Sequence, residues 1–103
     1  MNSYKIELTD NGSLLRINWG DPATNDTIVR DADATLRQLK ESGELKGGSL
    51  IRVNGPASLP VAMVISHHLT HLYETVAVFD PKLSKYVVVS VHGGAHRLGD
   101  LIV

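Results

Sequence analysis

The middle of the chain alternates between a helical and an extended hydrophobic period, and this alternation restricts the possible folds most. From Asp26 onward apolar residues recur at helical spacing, whereas two short runs, residues 49–53 and 75–79, are expected to be strands. The second run, TVAVF, is typical of a strand that is buried on both faces of a parallel sheet. A second helix is expected between the runs, from about Leu59 to Leu72. Strands that alternate with helices predict βαβ units.

Antiparallel strands are expected on both sides of this centre. Tyr4 to Thr9 and Leu14 to Trp19 alternate in polarity around the turn Asp10-Asn11-Gly12, which predicts a hairpin. Tyr86 to Val91 is expected to pair back on the preceding strand, and the glycine-containing end predicts a last small hairpin or edge strand. The predicted fold is a small Rossmann-like α/β sheet with helices on its faces, and a ferredoxin-like sheet is the alternative.

Length and charge limit the possible functions. With 103 residues the chain is expected to form one domain, residues 1–103. Ten basic and eleven acidic residues give a net charge of −1, which disfavours a surface for duplex DNA but permits a local pocket for a small anion. The absence of cysteine excludes disulfides. No apolar run approaches the ~20 residues of a membrane span, and the start does not resemble a signal peptide, so a cytoplasmic location is expected.

Two loops follow predicted parallel strands, at the position where such sheets bind ligands. They cover residues 18–25 and 54–58. In the second loop Gly55 permits a close backbone approach, and Ser58 precedes a helix start whose free N–H groups suit phosphate. An ordinary strand-to-helix turn is the alternative, because a single glycine loop is a weak signal.

Three of the five histidines form the pattern HHxxH near the end of the second helix. Helical spacing puts His67 next to His71, and His68 near His71, so either pair can share a ligand. Zinc-protease chemistry is disfavoured because His68 occupies the position where HExxH has its glutamate. The alternative is a histidine-rich helix end that complements the helix dipole.

Asp80-Pro81-Lys82 follows the buried strand and is, by itself, a common way to open a turn. Together, however, aspartate, lysine and histidine can supply metal contact, phosphate neutralisation and proton transfer, which are the requirements of a phosphodiesterase. The charged residues of the first helix, in contrast, are interpreted as a solvated outer face. His92 and His96 carry little information.

The stretch GPASLPVAMVISHHLTHLYETVAVFDPKLSKYVVVSVH resembles the central block of the small CRISPR-associated ring nucleases, the "Csx three" proteins of type III systems. The resemblance covers about residues 50–100. It depends on the Gly-Pro loop, the His-x-x-His helix end and the apolar strand that leads into Asp-Pro.

The resemblance implies that the chain binds and cleaves cyclic tetra-adenylate, a second messenger that activates antiviral effectors. It also implies a relation to the CRISPR-associated Rossmann fold, dimers, a tetramer in which two dimers sandwich one ring, and activity supported by Mn²⁺. The family's catalytic histidine, aspartate and basic residue correspond to His71, Asp80 and Lys82. The family has arginine at the last position, and lysine offers a point charge instead of a planar fork.

The candidate site therefore combines the motifs with the resemblance. His71, Asp80 and Lys82 are the candidate catalytic residues. Substrate binding is assigned to Gly55, Pro56, Ser58 and His68, and metal contact to Asp80 and His71. Two other functions use the same groups: a non-catalytic sensor of cyclic oligoadenylate, and a manganese-dependent exonuclease that removes adenylates from RNA 3′ ends.

Overall fold

The computed structural model describes residues 2–103 as a six-stranded sheet with two α-helices. A single 3₁₀ turn at Asp10–Gly12 joins the first two strands. The elements are β1 (Tyr4–Thr9), β2 (Leu14–Trp19), α1 (Asn25–Glu41), β3 (Gly48–Asn54), α2 (Leu59–Thr70), β4 (Tyr73–Asp80), β5 (Lys85–Val91) and β6 (Leu101–Ile102).

The strands lie in the sheet in the order of the chain, from β1 to β6. β2, β3 and β4 are parallel, and the remaining neighbours are antiparallel. This confirms the predicted α/β class, with a parallel centre between antiparallel strands. A ferredoxin-like sheet has the element order βαββαβ, so that alternative is wrong.

Both helices pack on the same face of the sheet. Ile28, Ala32 and Leu36 of α1 share one buried cluster with Val61, Ile65 and Leu69 of α2 and with residues of the central strands. The units β2-α1-β3 and β3-α2-β4 each move by one strand in the same direction across the sheet. Because βαβ crossovers have the same handedness, both helices lie on the same side of the sheet. The expectation of helices on both faces is therefore replaced by a two-layer arrangement.

The opposite face, called the open face below, carries no helix within residues 2–103. A smaller cluster of Leu14, Ala77, Tyr86 and Val88 is buried there. Arg52 lies 5.4 Å above the ring of Tyr86 and donates a hydrogen bond to the carbonyl of Val103. Through Arg52, Val103 is thus attached to the part of the open face that carries Tyr86.

The two helices differ in their outer surfaces. α1 has an apolar inner stripe and a charged outer side, as the sequence predicts. Its N-cap is Thr24, and its first helical residue is Asn25. α2 is apolar on both sides, because Leu59 and Met63 are 76% and 65% exposed. Neither helix is long and apolar enough to span a membrane.

Candidate functional site

Two of the predicted motifs lie where the parallel central strands of the sheet end. We call the carboxyl-terminal ends of β3 and β4, with the loops that follow them, the carboxyl edge. The loop that begins at Gly55 follows β3, and Asp80 ends β4. Since Val53 is paired with Val78, two further residues along each strand put Gly55 level with Asp80. The Gly55–Ser58 loop and the Asp80–Lys82 turn therefore lie beside each other.

The Gly55–Ser58 loop is held firmly against its neighbours. Gly55 has φ +138°, and a Cβ at this position would overlap the carbonyl oxygen of Ile17. The hydroxyl of Tyr4 donates a 2.6 Å hydrogen bond to the carbonyl of Pro56. Burial raises the pKa of Tyr4 to about 12, so this hydroxyl keeps its proton and remains a donor.

Ser58 joins the two predicted ligand loops. It is the N-cap residue of α2, but its side chain does not bond to the helix backbone. Its hydroxyl instead donates a 2.7 Å hydrogen bond to Oδ1 of Asn25, at the start of α1. The backbone N–H groups at the start of α2 are therefore not capped by this hydroxyl.

Asp80 organises the turn that carries Lys82. Its Oδ1 accepts hydrogen bonds from the backbone N–H groups of Lys82 at 2.8 Å and Leu83 at 3.3 Å. Its Oδ2 has no hydrogen-bond partner among residues 2–103, and Lys82 is exposed. One carboxylate oxygen and one ammonium group are thus available at this edge.

His67 and His71 lie at the other end of α2 and form what we call the histidine end. Thr70 is the last helical residue and His71 is the C-cap. The ring centroids of His67 and His71 are 4.8 Å apart, and both side chains are exposed. The predicted i, i+4 contact is present, and His71 is accessible to a ligand.

His68 has a different environment from its two neighbours. It is 4% exposed, its Nε2 lies 2.6 Å from Oδ1 of Asp33, and its Nδ1 is buried without a partner. The other oxygen of Asp33 accepts a 2.9 Å bond from Nε of Arg37. These bonds, that from Arg37 first, hold the pKa of Asp33 below its ordinary value. His68, assigned above to substrate binding, therefore faces α1 and not the solvent.

Sequence reasoning missed Asp33. The helical pattern predicts a solvated outer face for it, yet Asp33 bonds to His68, and Asp31 accepts hydrogen bonds from the backbone and hydroxyl of Ser3. A signal for this was the position of both aspartates on either side of Ala32, at the boundary of the apolar stripe.

The candidate catalytic residues do not meet within one chain. His71 precedes β4 and Asp80 ends it, and β4 has eight residues. At about 3.3 Å per residue, the ends of this strand are roughly 23 Å apart. A complete set of histidine, aspartate and lysine therefore requires a second copy of the chain.

The same separation applies to the metal assignment. No group of three or more histidine, aspartate or glutamate side chains within residues 2–103 is arranged to hold a metal ion. His71 and Asp80 of one chain consequently cannot bind the same ion. A metal at either end would need ligands from another copy or from phosphate oxygens.

Comparison with known proteins identifies one family. The family model described as CRISPR-associated protein (Cas_csx3) matches residues 24–103, from the N-cap of α1 to the last residue of the sequence. This range includes α1, α2, the histidine end and the carboxyl edge, and it leaves out the β1–β2 hairpin. Comparison with curated proteins and with solved structures finds no match.

Proposed function

The chain belongs to the Cas_csx3 family of CRISPR-associated proteins, and from this premise we propose that it is a ring nuclease. Its substrate is cyclic tetra-adenylate, and cleavage of the ring ends type III antiviral signalling. The observation that carries the proposal is the accessibility of the reactive groups. His71 and Lys82 are exposed and Asp80 is partly exposed, whereas the buried histidine is His68.

The ring lies between two dimers, so that the carboxyl edge of one dimer faces the histidine end of the other. This arrangement is supported by the position of Asp80 and His71 at opposite ends of β4. A flat ligand between two stacked dimers then contacts Asp80 of one dimer and His71 of the other. Such a contact between unlike surfaces is heterologous, and it repeats with each added dimer.

Each residue then has a separate role at the scissile phosphate. The imidazole of His71 moves the proton between the attacking oxygen and the leaving oxygen, and the ammonium of Lys82 neutralises the phosphate charge. Asp80 fixes the turn that presents Lys82, through its bond to the backbone of that residue. The attacking oxygen belongs to water or to the neighbouring 2′-hydroxyl.

Mn²⁺ is the proposed cofactor, and it would supply additional charge neutralisation at the phosphate. The protein donors would be Oδ2 of Asp80, which has no hydrogen-bond partner within residues 2–103, and an imidazole from another copy. Because a single chain offers no three-ligand group in the described part, phosphate oxygens of the substrate would have to supply the remaining ligands.

Self-association is supported by the outer surface of α2. Leu59 and Met63 are exposed on this helix, and Ala62 of the same helix lines a groove. The groove is also lined by Val78 and Val89, which are 38% and 47% exposed. A helix that is apolar on both sides is ordinarily covered on both sides. We therefore assign the outer surface of α2, with Leu59 and Met63, to the dimer contact.

Turnover of the ring tests the proposal. The protein is incubated with cyclic tetra-adenylate and Mn²⁺, and linear products are separated by chromatography. We expect cleavage by the wild type and a loss of about 10²- to 10⁴-fold in rate for His71→Ala, with ring binding retained. Unchanged turnover in this variant would contradict the assignment, and His96→Ala is the matched control.

Two other outcomes identify the alternative functions. Tight ring binding without product by the wild type would indicate a sensor domain. A linear RNA with a 3′ adenylate tail is tested in parallel, and preferential shortening of that RNA would indicate an exonuclease.

A further inference from the structure

A cleft on the open face runs from the β1–β2 hairpin to the carboxyl edge. We call it the hairpin cleft. It has a volume of about 510 Å³ and ends at Gly55 and Pro56. Its polar side chains come from Asn2, Lys5, Glu7, Arg16, Asn18 and Asn54. Four of these six residues lie on β1 and β2, before the segment that the family model matches.

Strand register explains why these side chains share one face. Lys5 is paired with Asn18, Glu7 with Arg16, and Arg16 in turn with Asn54. Since residues directly opposite each other in a sheet point to the same side, the polar positions of three strands form one surface. The cleft is therefore built on rigid strands rather than on a loop.

The two cations of the cleft have no internal partner. Neither Lys5 nor Arg16 forms an ion pair or a side-chain hydrogen bond with any of residues 2–103, although Glu7 is directly opposite Arg16. Arg37 and Arg52, in contrast, are each paired with an aspartate. An anion can consequently bind Arg16 and Lys5 without breaking an existing contact.

The neighbouring amides complement these cations. Oδ1 of Asn18 accepts a 2.8 Å hydrogen bond from the backbone N–H of Trp19, which leaves its amide nitrogen as a donor. The amide nitrogen of Asn54 donates to the hydroxyl of Tyr86, which leaves its oxygen as an acceptor. Adenine presents both an acceptor and an exocyclic amine to such a pair.

The floor of the cleft is preorganised where it meets the carboxyl edge. Gly55 packs directly on the backbone of Ile17, and the bond from Tyr4 to Pro56 fixes the next residue. Arg16 and Lys5 line the same cleft as this loop, and the Asp80–Lys82 turn lies beside the loop on its other side.

We propose that the hairpin cleft binds one adenosine phosphodiester of the oligoadenylate, with Arg16 and Lys5 contacting the phosphate. This inference depends on the proposed function for the identity of the ligand. Two cations against one carboxylate match a single phosphodiester, whereas duplex binding requires many phosphate contacts. Arg16 and Lys5 bind the substrate and take no part in the chemical step.

Binding without cleavage tests the inference. Fluorescein-labelled linear tetra-adenylate and cyclic tetra-adenylate are titrated in EDTA, with Arg16→Ala, Lys5→Ala and the control Arg30→Ala. Arg30 is exposed on the outer side of α1, away from the cleft. We expect Arg16→Ala to weaken binding of both ligands about tenfold, and the slope of log Kd against log salt to fall by about 0.7. Arg30→Ala is expected to bind as the wild type does.

The possible results separate this inference from the proposed function. If the wild type binds the ligands but does not cleave the ring, while Arg16→Ala binds weakly, the cleft is supported and the nuclease is rejected. If Arg16→Ala and Lys5→Ala match the wild type in affinity and salt slope, the cleft is rejected, whatever the cleavage rate. A wild type that binds neither ligand overturns both. Thermal unfolding of each variant confirms that a change in affinity does not come from a loss of folded protein.

Discussion

Asp33 is the residue that connects the middle of α1 to the last turn of α2. One of its carboxylate oxygens bonds to His68 on α2, and the other bonds to Arg37 on α1. The last turn of α2, which carries His71, is thus attached to α1 by a charged contact as well as by apolar packing.

Acid should weaken this attachment. The pKa of Asp33 is below its ordinary value in the folded chain, so its contribution is present at neutral pH and is lost as pH falls from about 4 through the lower folded pKa. We expect Asp33→Asn to be less stable than the wild type at pH 7 and to lose less stability between pH 5 and pH 3. Urea unfolding at each pH measures this difference.

Asp21→Asn is the control for this experiment. Asp21 is exposed and its side chain makes no hydrogen bond to another described residue, so its substitution should leave the pH profile unchanged. If Asp33→Asn keeps the wild-type profile, the stability of the chain in acid does not depend on the Asp33–His68 contact.

The sequence predicted which histidines are neighbours but not which of them is buried. Helical spacing gave the contact between His67 and His71, and the structure has it. The inward direction of His68 could not be predicted, because α2 is apolar on both sides and its pattern does not distinguish inside from outside. The partner of His68 is 35 residues away in the chain, on another helix.

At the level of the elements, the loop between β3 and α2 shows how one residue positions a whole segment. Gly55 permits a positive φ and a contact of the loop with the backbone of β2. From the sequence, this freedom is expected to serve the approach of a phosphate. In the structure the same freedom brings the Gly55–Ser58 loop onto the neighbouring strand.

A pair of glycine variants separates these two effects. Gly43 has φ +82° and no atom within 4 Å of the point where a Cβ would lie, whereas Gly55 has φ +138° and a close backbone neighbour. We expect Gly43→Ala to cost about 1 kcal/mol in the free energy of unfolding, and Gly55→Ala roughly 2–4 kcal/mol because overpacking is added. Chemical denaturation measures both. Equal costs would show that the loop can move away from β2 without loss.

Local patterns were sufficient for most elements. The limits of β1 and β2 agree with the prediction, and β4 begins at Tyr73 instead of Thr75 because it pairs with β3 from Gly48 onward. The common face of the helices was not predictable in this way. Periodicity defines the apolar stripe of α1, but the direction of each crossover determines on which face of the sheet the helices pack.

At the level of the whole molecule, the outer side of α2 is notable because it exposes two large apolar side chains, Leu59 and Met63, to water. We expect Met63→Lys to weaken self-association, since it places a charge in the proposed dimer contact. Sedimentation velocity over a concentration series measures the shift from dimer to monomer. Gln38→Lys, on the exposed side of α1, is the control. An unchanged dimer in Met63→Lys would place the contact elsewhere.

The separation of His71 from Asp80 also makes a prediction about mixtures of inactive proteins. His71→Ala retains an intact carboxyl edge, and Asp80→Ala retains an intact histidine end. When these variants assemble together, some contacts join the intact edge of one to the intact end of the other. With random mixing of equal amounts, about a quarter of the contacts contain both groups, so the mixture should recover about a quarter of wild-type turnover.

A second mixture is the matched control for this complementation. Asp80 and Lys82 lie on the same turn of the same copy, joined by a hydrogen bond from the Lys82 backbone to Asp80. Every contact in a mixture of Asp80→Ala and Lys82→Ala therefore lacks one of the two groups, and no activity should return. If the first mixture also stays inactive while light scattering shows that its variants co-assemble, the catalytic groups do not come from different copies. The roughly 23 Å between the ends of β4 would then leave a single chain without a complete set.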